Sequence, residues 1–551
     1  MALSKRVNPE QLIQQSMDHK SHAHHLTKVD PSKSHHPYGS RYGTNPLPKY
    51  KIPSTGTDAE AAYQLIHDEL SLDGNPLLNL ASFVHTWMPA QADRLMQENM
   101  SKNLIDQDEY PMTQEIHNRC ISMLADLWHA PNSKQAIGTA TTGSSEAIQL
   151  GGLAMKRIWQ AKRKAAGKSI HEPGPNIVMG ANAQVALEKF ARYFEVECRL
   201  VPISVESNYR LDPKKAMQFV DENTIGVFVI LGSTYTGHYE PVKEMSDLLD
   251  EYEAKTGISV PIHVDGASGA FVAPFATPKL EWDFRIPRVV SINTSGHKFG
   301  LAYVGVGWVI WRDKAHLPKD LIFELHYLGS VEYSFSLNFS RPAAPIIAQF
   351  FNLVHLGFEG YRRVALDDLK NARLLARALE RSGFYHVLSD VHRPASGASA
   401  TALLQGAKKA VGAGASEFDE EDVESYVPGL PVIAFRFTDN FKQKYAGIQQ
   451  KWIQTLLRSK GWIVPNYELA PDLETIEILR VVVRENMSEA LVDRLVCDLV
   501  EITESLTKMD SPTHALGLLA EHHSAAAAKH SASKMDHGSA SASTGTYAKQ
   551  C

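Results

Sequence analysis

Between Thr139 and about Gly357 the chain alternates short apolar, β-branched runs with helical stretches, and this pattern restricts the fold more than any other feature. The runs are Asn176 to Met179, Cys198 to Ile203, Thr224 to Leu231, Val260 to Asp265, Val289 to Asn293 and Gly305 to Trp311. Strands joined through helices cross over instead of turning back, so the expected product is a mostly parallel sheet with helices on both faces. In such a sheet, ligands are met at the carboxyl ends of the strands.

Three strand or turn ends then draw notice. Arg288-Val289-Val290-Ser291-Ile292 reads as a buried strand that empties into Asn293-Thr294-Ser295-Gly296-His297-Lys298, with a lone lysine at the end. Val260-Pro261-Ile262-His263-Val264-Asp265 ends in a carboxylate followed by small residues. Gly138 to Ala147 is a Gly/Ser/Thr turn running into the helical pattern Ile148, Leu150, Leu153, Ala154. Each has an ordinary reading: a solvated loop lysine, an Asp that caps a loop, a serine-capped helix. Together they supply an amine for a Schiff base, a carboxylate for a ring nitrogen and a helix N-terminus for a phosphate. Those are the three handles of pyridoxal phosphate.

Composition bounds the rest. With 551 residues, 44% hydrophobic, 21% charged and a formal charge of −6, the chain has ample core for two or more domains, and nothing in the balance calls for nucleic acid. No apolar run approaches the roughly 20 residues that span a bilayer, and Met1-Ala2-Leu3-Ser4-Lys5-Arg6 opens no apolar signal core, so a cytoplasmic setting is expected. The four cysteines (Cys120, Cys198, Cys497, Cys551) form no CxxC pair, which speaks against a disulfide framework or a zinc site; no metal is expected.

The expected organisation has five parts. Residues 1–56 form a flexible His-rich arm carrying His19, His22, His24, His25, His35 and His36. Residues 57–110 open at Thr57-Asp58-Ala59-Glu60, a capping box before a helix through Leu65, Ile66 and Leu70. Residues 111–358 hold the large sheet, starting with a helix from Met112 to Trp128. Residues 359–508 form a smaller α+β unit beginning near Tyr361, with strands at Pro431 to Phe437, Trp462 to Val464 and Thr475 to Val483, and an insertion at about 393–426. Residues 509–551 read as a flexible low-complexity tail.

Seven blocks carry a resemblance to a known family. They are Leu72-Asp73-Gly74-Asn75, Asp108-Glu109-Tyr110-Pro111, Gly143-Ser144-Ser145-Glu146-Ala147, Lys189-Phe190-Ala191-Arg192-Tyr193, His263-Val264-Asp265, Ser295-Gly296-His297-Lys298 and Leu337-Asn338-Phe339-Ser340. Over nearly all of residues 57 to 506 the chain resembles the glutamate decarboxylases, enzymes of the aspartate-aminotransferase fold type (fold type I). Ser-x-His-Lys alone indicates only the wider decarboxylase group; the Leu-Asp-Gly-Asn, Asp-Glu-Tyr-Pro and Asn-Phe-Ser blocks point to the glutamate branch.

The resemblance implies roles residue by residue. Lys298 would carry pyridoxal 5'-phosphate as a Schiff base, and Asp265 would pair with its ring nitrogen. Ser144, Ser145, Ser295, His297 and, across a subunit boundary, Ser340 would hold the phosphate, while Gln184, Thr234 and Ala267 would complete the ring pocket. Arg480 would take the substrate α-carboxylate; from its own context, a guanidinium inside the apolar strand Ile476 to Val483 needs an anionic partner. Ser82, the Phe83 backbone, Asn103 and Asp106 match positions near the side-chain carboxylate of L-glutamate. Asp106 facing a carboxylate is electrostatically sensible only if the two share a proton, which predicts better activity in mild acid. Lys298 or Tyr327, in Tyr327-Leu328-Gly329, would return a proton to the α-carbon. The product would be 4-aminobutanoate (γ-aminobutyrate).

Some positions depart from the family. Gly266 follows Asp265 where relatives carry Ala, and Ala186-Leu187 follows Gln184 and Val185 where they carry Cys-Trp. Plant relatives end in a calmodulin-binding segment, but the tail here has no tryptophan and only Lys529, Lys534 and Lys549 as strong cations, so a calmodulin switch is not expected. Two rival readings stand beside glutamate decarboxylation: a pyridoxal-phosphate decarboxylase of aspartate, cysteine sulfinate or an aromatic amino acid, and a non-catalytic scaffold with the same fold. Because Ser340 and the early Ser82/Phe83 region would serve a neighbouring subunit's pocket, the resemblance implies a homodimer or higher homo-oligomer.

Overall fold

The computed structural model describes residues 50–326, 332–395 and 423–508, together with Glu10. Tyr327, most of the 393–426 insertion, nearly all of the His-rich arm and the tail therefore lie outside the described residues.

The large sheet has seven strands: β1 Ile137–Thr141, β2 Asn176–Gly180, β3 Glu197–Val201, β4 Thr224–Ile230, β5 Ile262–Asp265, β6 Val289–Ser295 and β7 Gly307–Trp311, in the spatial order β1-β7-β6-β5-β4-β2-β3. Strands β3, β2, β4, β5 and β6 run parallel, and β7 is antiparallel to both β6 and β1. The direction of β7 follows from its connection, because Gly296 to Val306 holds no helix that could carry a parallel crossover. β1 replaces part of the expected Gly/Ser/Thr turn. Its sequence Ile-Gly-Thr-Ala-Thr has few apolar side chains, yet all but Ile137 are buried.

Helices precede, join and follow these strands. α1 (Ala59–Leu70) is capped by Asp58, whose side chain accepts from the Glu60 amide at 3.0 Å, in place of the expected Thr57 cap. α2 (Pro111–Leu127), α3 (Ser144–Ala165), α4 (Val185–Tyr193) and α5 (Val242–Thr256) follow in the chain. α6 runs from Ala344 to Arg381, across the position near Tyr361 where the sequence placed the second unit. Its one break is Gly357 (φ 58°), a left-handed conformation that glycine adopts without Cβ strain.

A ribbon of β8 (Phe323–Leu325) and β9 (Glu332–Ser334) precedes the smaller antiparallel sheet. That sheet holds β10 Tyr385–Val387, β11 Val432–Phe437, β12 Asn466–Glu468 and β13 Glu477–Val482, in the order β10-β11-β13-β12. The strand expected at Trp462 to Val464 is displaced to β12. Trp462 and Val464 are buried as an apolar run should be, but Ile463 makes only an isolated parallel bridge, to Asn79. Through that bridge and the Val482 amide to Leu80 carbonyl bond (2.9 Å), residues 79–85 lie against the small sheet, and the His85 amide reaches the His297 carbonyl at 2.9 Å. One apolar cluster runs through both sheets, from Val264 and Ile292 to Phe435 and Val481. No helix among the described residues is long and apolar enough to cross a membrane.

Candidate active site

The carboxyl ends of β4, β5 and β6 and the start of α3 enclose a cavity of about 320 Å³. Ser144, Ser145, Gln184, Thr234, Asp265, Ala267, Ser295, His297 and Lys298 all line it. Nine residues from five separate stretches of sequence thus converge, as the parallel topology requires.

At one end α3 begins at Gly143 with no side-chain cap, so the first amides of a 22-residue helix face the cavity with their partial positive charge. Ser144 Oγ and Ser295 Oγ lie 2.7 Å apart, joining that helix to the end of β6. A Cβ on Gly143 would come within 3.0 Å of the His297 ring, so a bare backbone lets the turn and the imidazole close on each other. His297 Nδ1 is buried with no partner, and burial, aided by the adjacent Lys298 charge, pushes the ring down to about 4. A neutral imidazole with an unmet ring nitrogen suits an anion that brings its own hydrogen-bonding oxygens. Glu146, one turn into the helix, adds no unmet charge: it accepts from the Thr142, Leu337 and Asn338 amides at 2.8, 3.1 and 3.3 Å.

At the other end Asp265, which lines the cavity, accepts at Oδ1 from Asn293 Nδ2 (2.9 Å) and the Ala267 amide (3.1 Å). Gln184 caps α4, its Oε1 accepting from the Ala186 amide at 2.7 Å. The donor set fits pyridoxal phosphate: helix amides and hydroxyls for a phosphate, a carboxylate for a ring nitrogen, and a lysine between them.

Arg480 of β13 approaches from the small sheet. It donates to the Thr234 carbonyl (2.9 Å) and to the Ala81 carbonyl, its Nε is buried without a partner, and it meets no carboxylate among the described residues. Its guanidinium lies 4.9 Å from the Phe83 ring centroid, and Lys298 Nζ lies 5.3 Å from the same ring. Phe83 therefore lies beside Lys298 and Arg480 of its own chain, where the sequence reading gave this region to a neighbour's pocket, and it does so with its buried ring, a part sequence reasoning missed. Ser82 Oγ accepts from the Val84 amide at 3.1 Å.

Asn103 and Ser340 fall elsewhere. Asn103 Nδ2 donates to Ser340 Oγ at 3.2 Å and its Oδ1 accepts the Arg341 amide at 3.0 Å; neither residue lines the cavity of its own chain, and Ser340 is exposed. Asp106, three residues on, is half-buried and donates its amide to the Asn103 carbonyl at 3.3 Å.

Comparison with known proteins agrees with this arrangement. Residues 48–396 match the pyridoxal-dependent decarboxylase conserved domain. The chain belongs to the pyridoxal-dependent decarboxylase family, within its glutamate decarboxylase branch. It is 48% identical over 491 residues to a glutamate decarboxylase of Solanum lycopersicum, covering 88% of this chain and 89% of that one. It is 47% identical over 493 residues to a Saccharomyces cerevisiae glutamate decarboxylase, covering 86% and 82%. Among solved structures, a Lactobacillus brevis glutamate decarboxylase superposes with a TM-score of 0.75 at 36% identity, covering 86% of this chain and 98% of that one. A sphingosine-1-phosphate lyase of Burkholderia pseudomallei (TM-score 0.65, 19% identity) shares the fold.

Proposed function

We propose that this chain decarboxylates L-glutamate to 4-aminobutanoate and carbon dioxide with pyridoxal 5'-phosphate held in the cavity around Lys298. The observation that carries the reading is the convergence of Lys298, Asp265 and the uncapped start of α3 on one cavity, with Arg480 beside it. When bound, pyridoxal phosphate supplies a ring that takes up the electron pair left by the departing carboxylate.

The chain's own residues bind, orient and protonate. Asp265 would pair with the ring nitrogen. The amides of α3, with Ser144, Ser145, Ser295, His297 and, from a neighbouring subunit, Ser340, would hold the phosphate. Gln184, Thr234 and Ala267 would complete the ring pocket. Arg480 holds the substrate α-carboxylate near Lys298; its buried Nε, with no carboxylate partner among the described residues, leaves it in need of an anion. Ser82 and Phe83, with Asn103 and Asp106 of a neighbouring subunit, meet the side-chain carboxylate. Lys298 or Tyr327 then delivers a proton to the α-carbon, so glutamate and one proton give 4-aminobutanoate and carbon dioxide.

The separation of the Asn103–Ser340 pair from its own cavity supports a homodimer or larger assembly in which that pair completes a neighbour's site. The setting is the cytoplasm. Incubating pure protein with single amino acids and measuring released carbon dioxide tests the substrate. Release from glutamate, and little from aspartate, cysteine sulfinate or aromatic amino acids, is expected. No turnover of glutamate would end the assignment.

A further inference from the structure

Behind Asp265 the interior of the sheet is polar where apolar side chains would be expected. Asp265 Oδ1 accepts from Asn293 Nδ2 at 2.9 Å, Asn293 Oδ1 lies 2.7 Å from His263 Nε2, and His263 Nδ1 lies 2.7 Å from Ser291 Oγ. Ser291, Asn293 and His263 are fully buried, on β5 and β6 two strand positions apart, so the same face of the sheet carries the whole row. A buried polar row of this kind costs stability unless every member is satisfied, and here each is.

The row has one consistent direction. An ionised Asp265 is an acceptor only, so Asn293 must turn its amide nitrogen to it. Asn293 Oδ1 then faces the imidazole and requires a donor, which makes His263 Nε2 the protonated nitrogen. His263 Nδ1 must accept, and Ser291 Oγ donates to it. Burial keeps this imidazole neutral, pushed down to about 4 against the pull of the Asn293 hydrogen bond and the Asp265 charge.

A second observation shows that the ring is clamped. A Cβ on Gly151 of α3 would sit 2.7 Å from His263 Cε1 and 2.8 Å from Nδ1, and Phe228 packs with its centroid 5.0 Å away. The helix whose first turn faces the cavity therefore lays its bare backbone on the imidazole that backs Asp265.

From this geometry we infer that His263 is a positioning residue: held by Gly151 and Ser291 in its Nε2-protonated form, it orients Asn293 and through it the Asp265 carboxylate that pairs with the ring nitrogen. The inference rests on the reading of Asp265 given above. It makes no contact with substrate or cofactor and moves no proton in the reaction.

Two measurements test it. In the protein without cofactor, labelled with 15N-histidine, the His263 signals, identified by their loss in His263→Gln, should report the neutral Nε2-protonated tautomer. An Nδ1-protonated or doubly protonated ring would contradict the inference. With cofactor, His263→Leu should weaken pyridoxal phosphate binding about tenfold, as loss of support for a charged hydrogen-bond partner does. It should also move the 15N signal of a labelled ring nitrogen toward the unprotonated position. His263→Gln, which can still donate to Asn293, should restore most of both. Unchanged affinity and an unchanged ring-nitrogen signal in His263→Leu would overturn the proposal. Should His263→Leu fail to fold, the wild-type tautomer decides. A wild type that binds no pyridoxal phosphate would refute the proposed function, while the tautomer would still report on the row.

Discussion

The cavity around Lys298 and the seam around Asn103 and Ser340 differ in how far one chain completes them. Around Lys298, nine residues from strand ends and helix starts already line one space, with Asp265 held by Asn293 and Ser144 bonded to Ser295. At the seam, Asn103 donates to Ser340 and accepts from the Arg341 amide, with Ser340 exposed. The contrast teaches that the cofactor end of the site is a property of the sheet, fixed when the strands pair. In the proposed assembly a second copy of the chain would use the seam to bring Ser340 to the phosphate and Asn103 toward the substrate.

The sharpest way to break that contrast is complementation. Lys298→Ala alone should lose about a thousandfold or more of glutamate turnover, since it removes both the cofactor tether and a proton donor. Ser340→Asp should weaken cofactor binding about tenfold by placing a charge against the phosphate. Refolded together and assayed at limiting cofactor, the two variants should give more activity than the sum of the two assayed apart, because one site in each mixed dimer then has an intact lysine and an intact neighbouring serine. No recovery would place the seam outside the site.

Arg480→Leu tests the small-sheet side. Removing a charge-assisted partner of the substrate carboxylate should cost about a hundredfold in kcat/KM for glutamate while leaving cofactor affinity near wild type. An unchanged kcat/KM would mean that the guanidinium is only a clamp on the Ala81 and Thr234 carbonyls.

Asp106→Asn should be milder. If Asp106 shares a proton with the substrate side chain, its amide variant should flatten the preference of turnover for mild acid; a profile identical to wild type would separate Asp106 from the substrate.

The smallest effect concerns where the two regions meet. His117 Nε2 accepts from the Ala140 amide of β1 at 2.9 Å, and Arg341 of the seam donates to the Ala140 carbonyl. Burial, with the Arg341 charge adding to it, pushes His117 from 6.5 down to about 3. Between those values the unfolded chain binds a proton that the folded one refuses, so stability falls as pH falls through that window. His117→Gln removes this refusal. The gap in Tm between variant and wild type should therefore narrow as pH drops from 6.5 toward 3, and a constant gap would contradict the burial argument.

Much of the fold was legible because β2 and β4 are mostly apolar and buried on both faces, the mark of a parallel sheet covered by helices. Lys298 and Asp265 were legible for a related reason: a charged group at the end of such a run stands out. β1 was not, since Gly138, Thr139, Ala140 and Thr141 are small residues that are buried by packing and not by hydrophobicity. The misplaced strand at Trp462 has the opposite cause, apolar residues that fill the core without joining a ladder. The row behind Asp265 was hidden because His263 and Asn293 look like polar accidents in apolar strands. Only the pairing of β5 with β6, which sets His263 opposite Ser291 and Asp265 opposite Asn293, turns them into one feature.

The central claim is that one amine in this chain tethers the cofactor. Reduction of the pyridoxal-phosphate-loaded protein with borohydride, followed by peptide mass spectrometry, reads that amine directly. The account predicts a reduced pyridoxyl adduct on the peptide containing Lys298 and on no other; an adduct elsewhere, or none on cofactor-saturated protein, would contradict it.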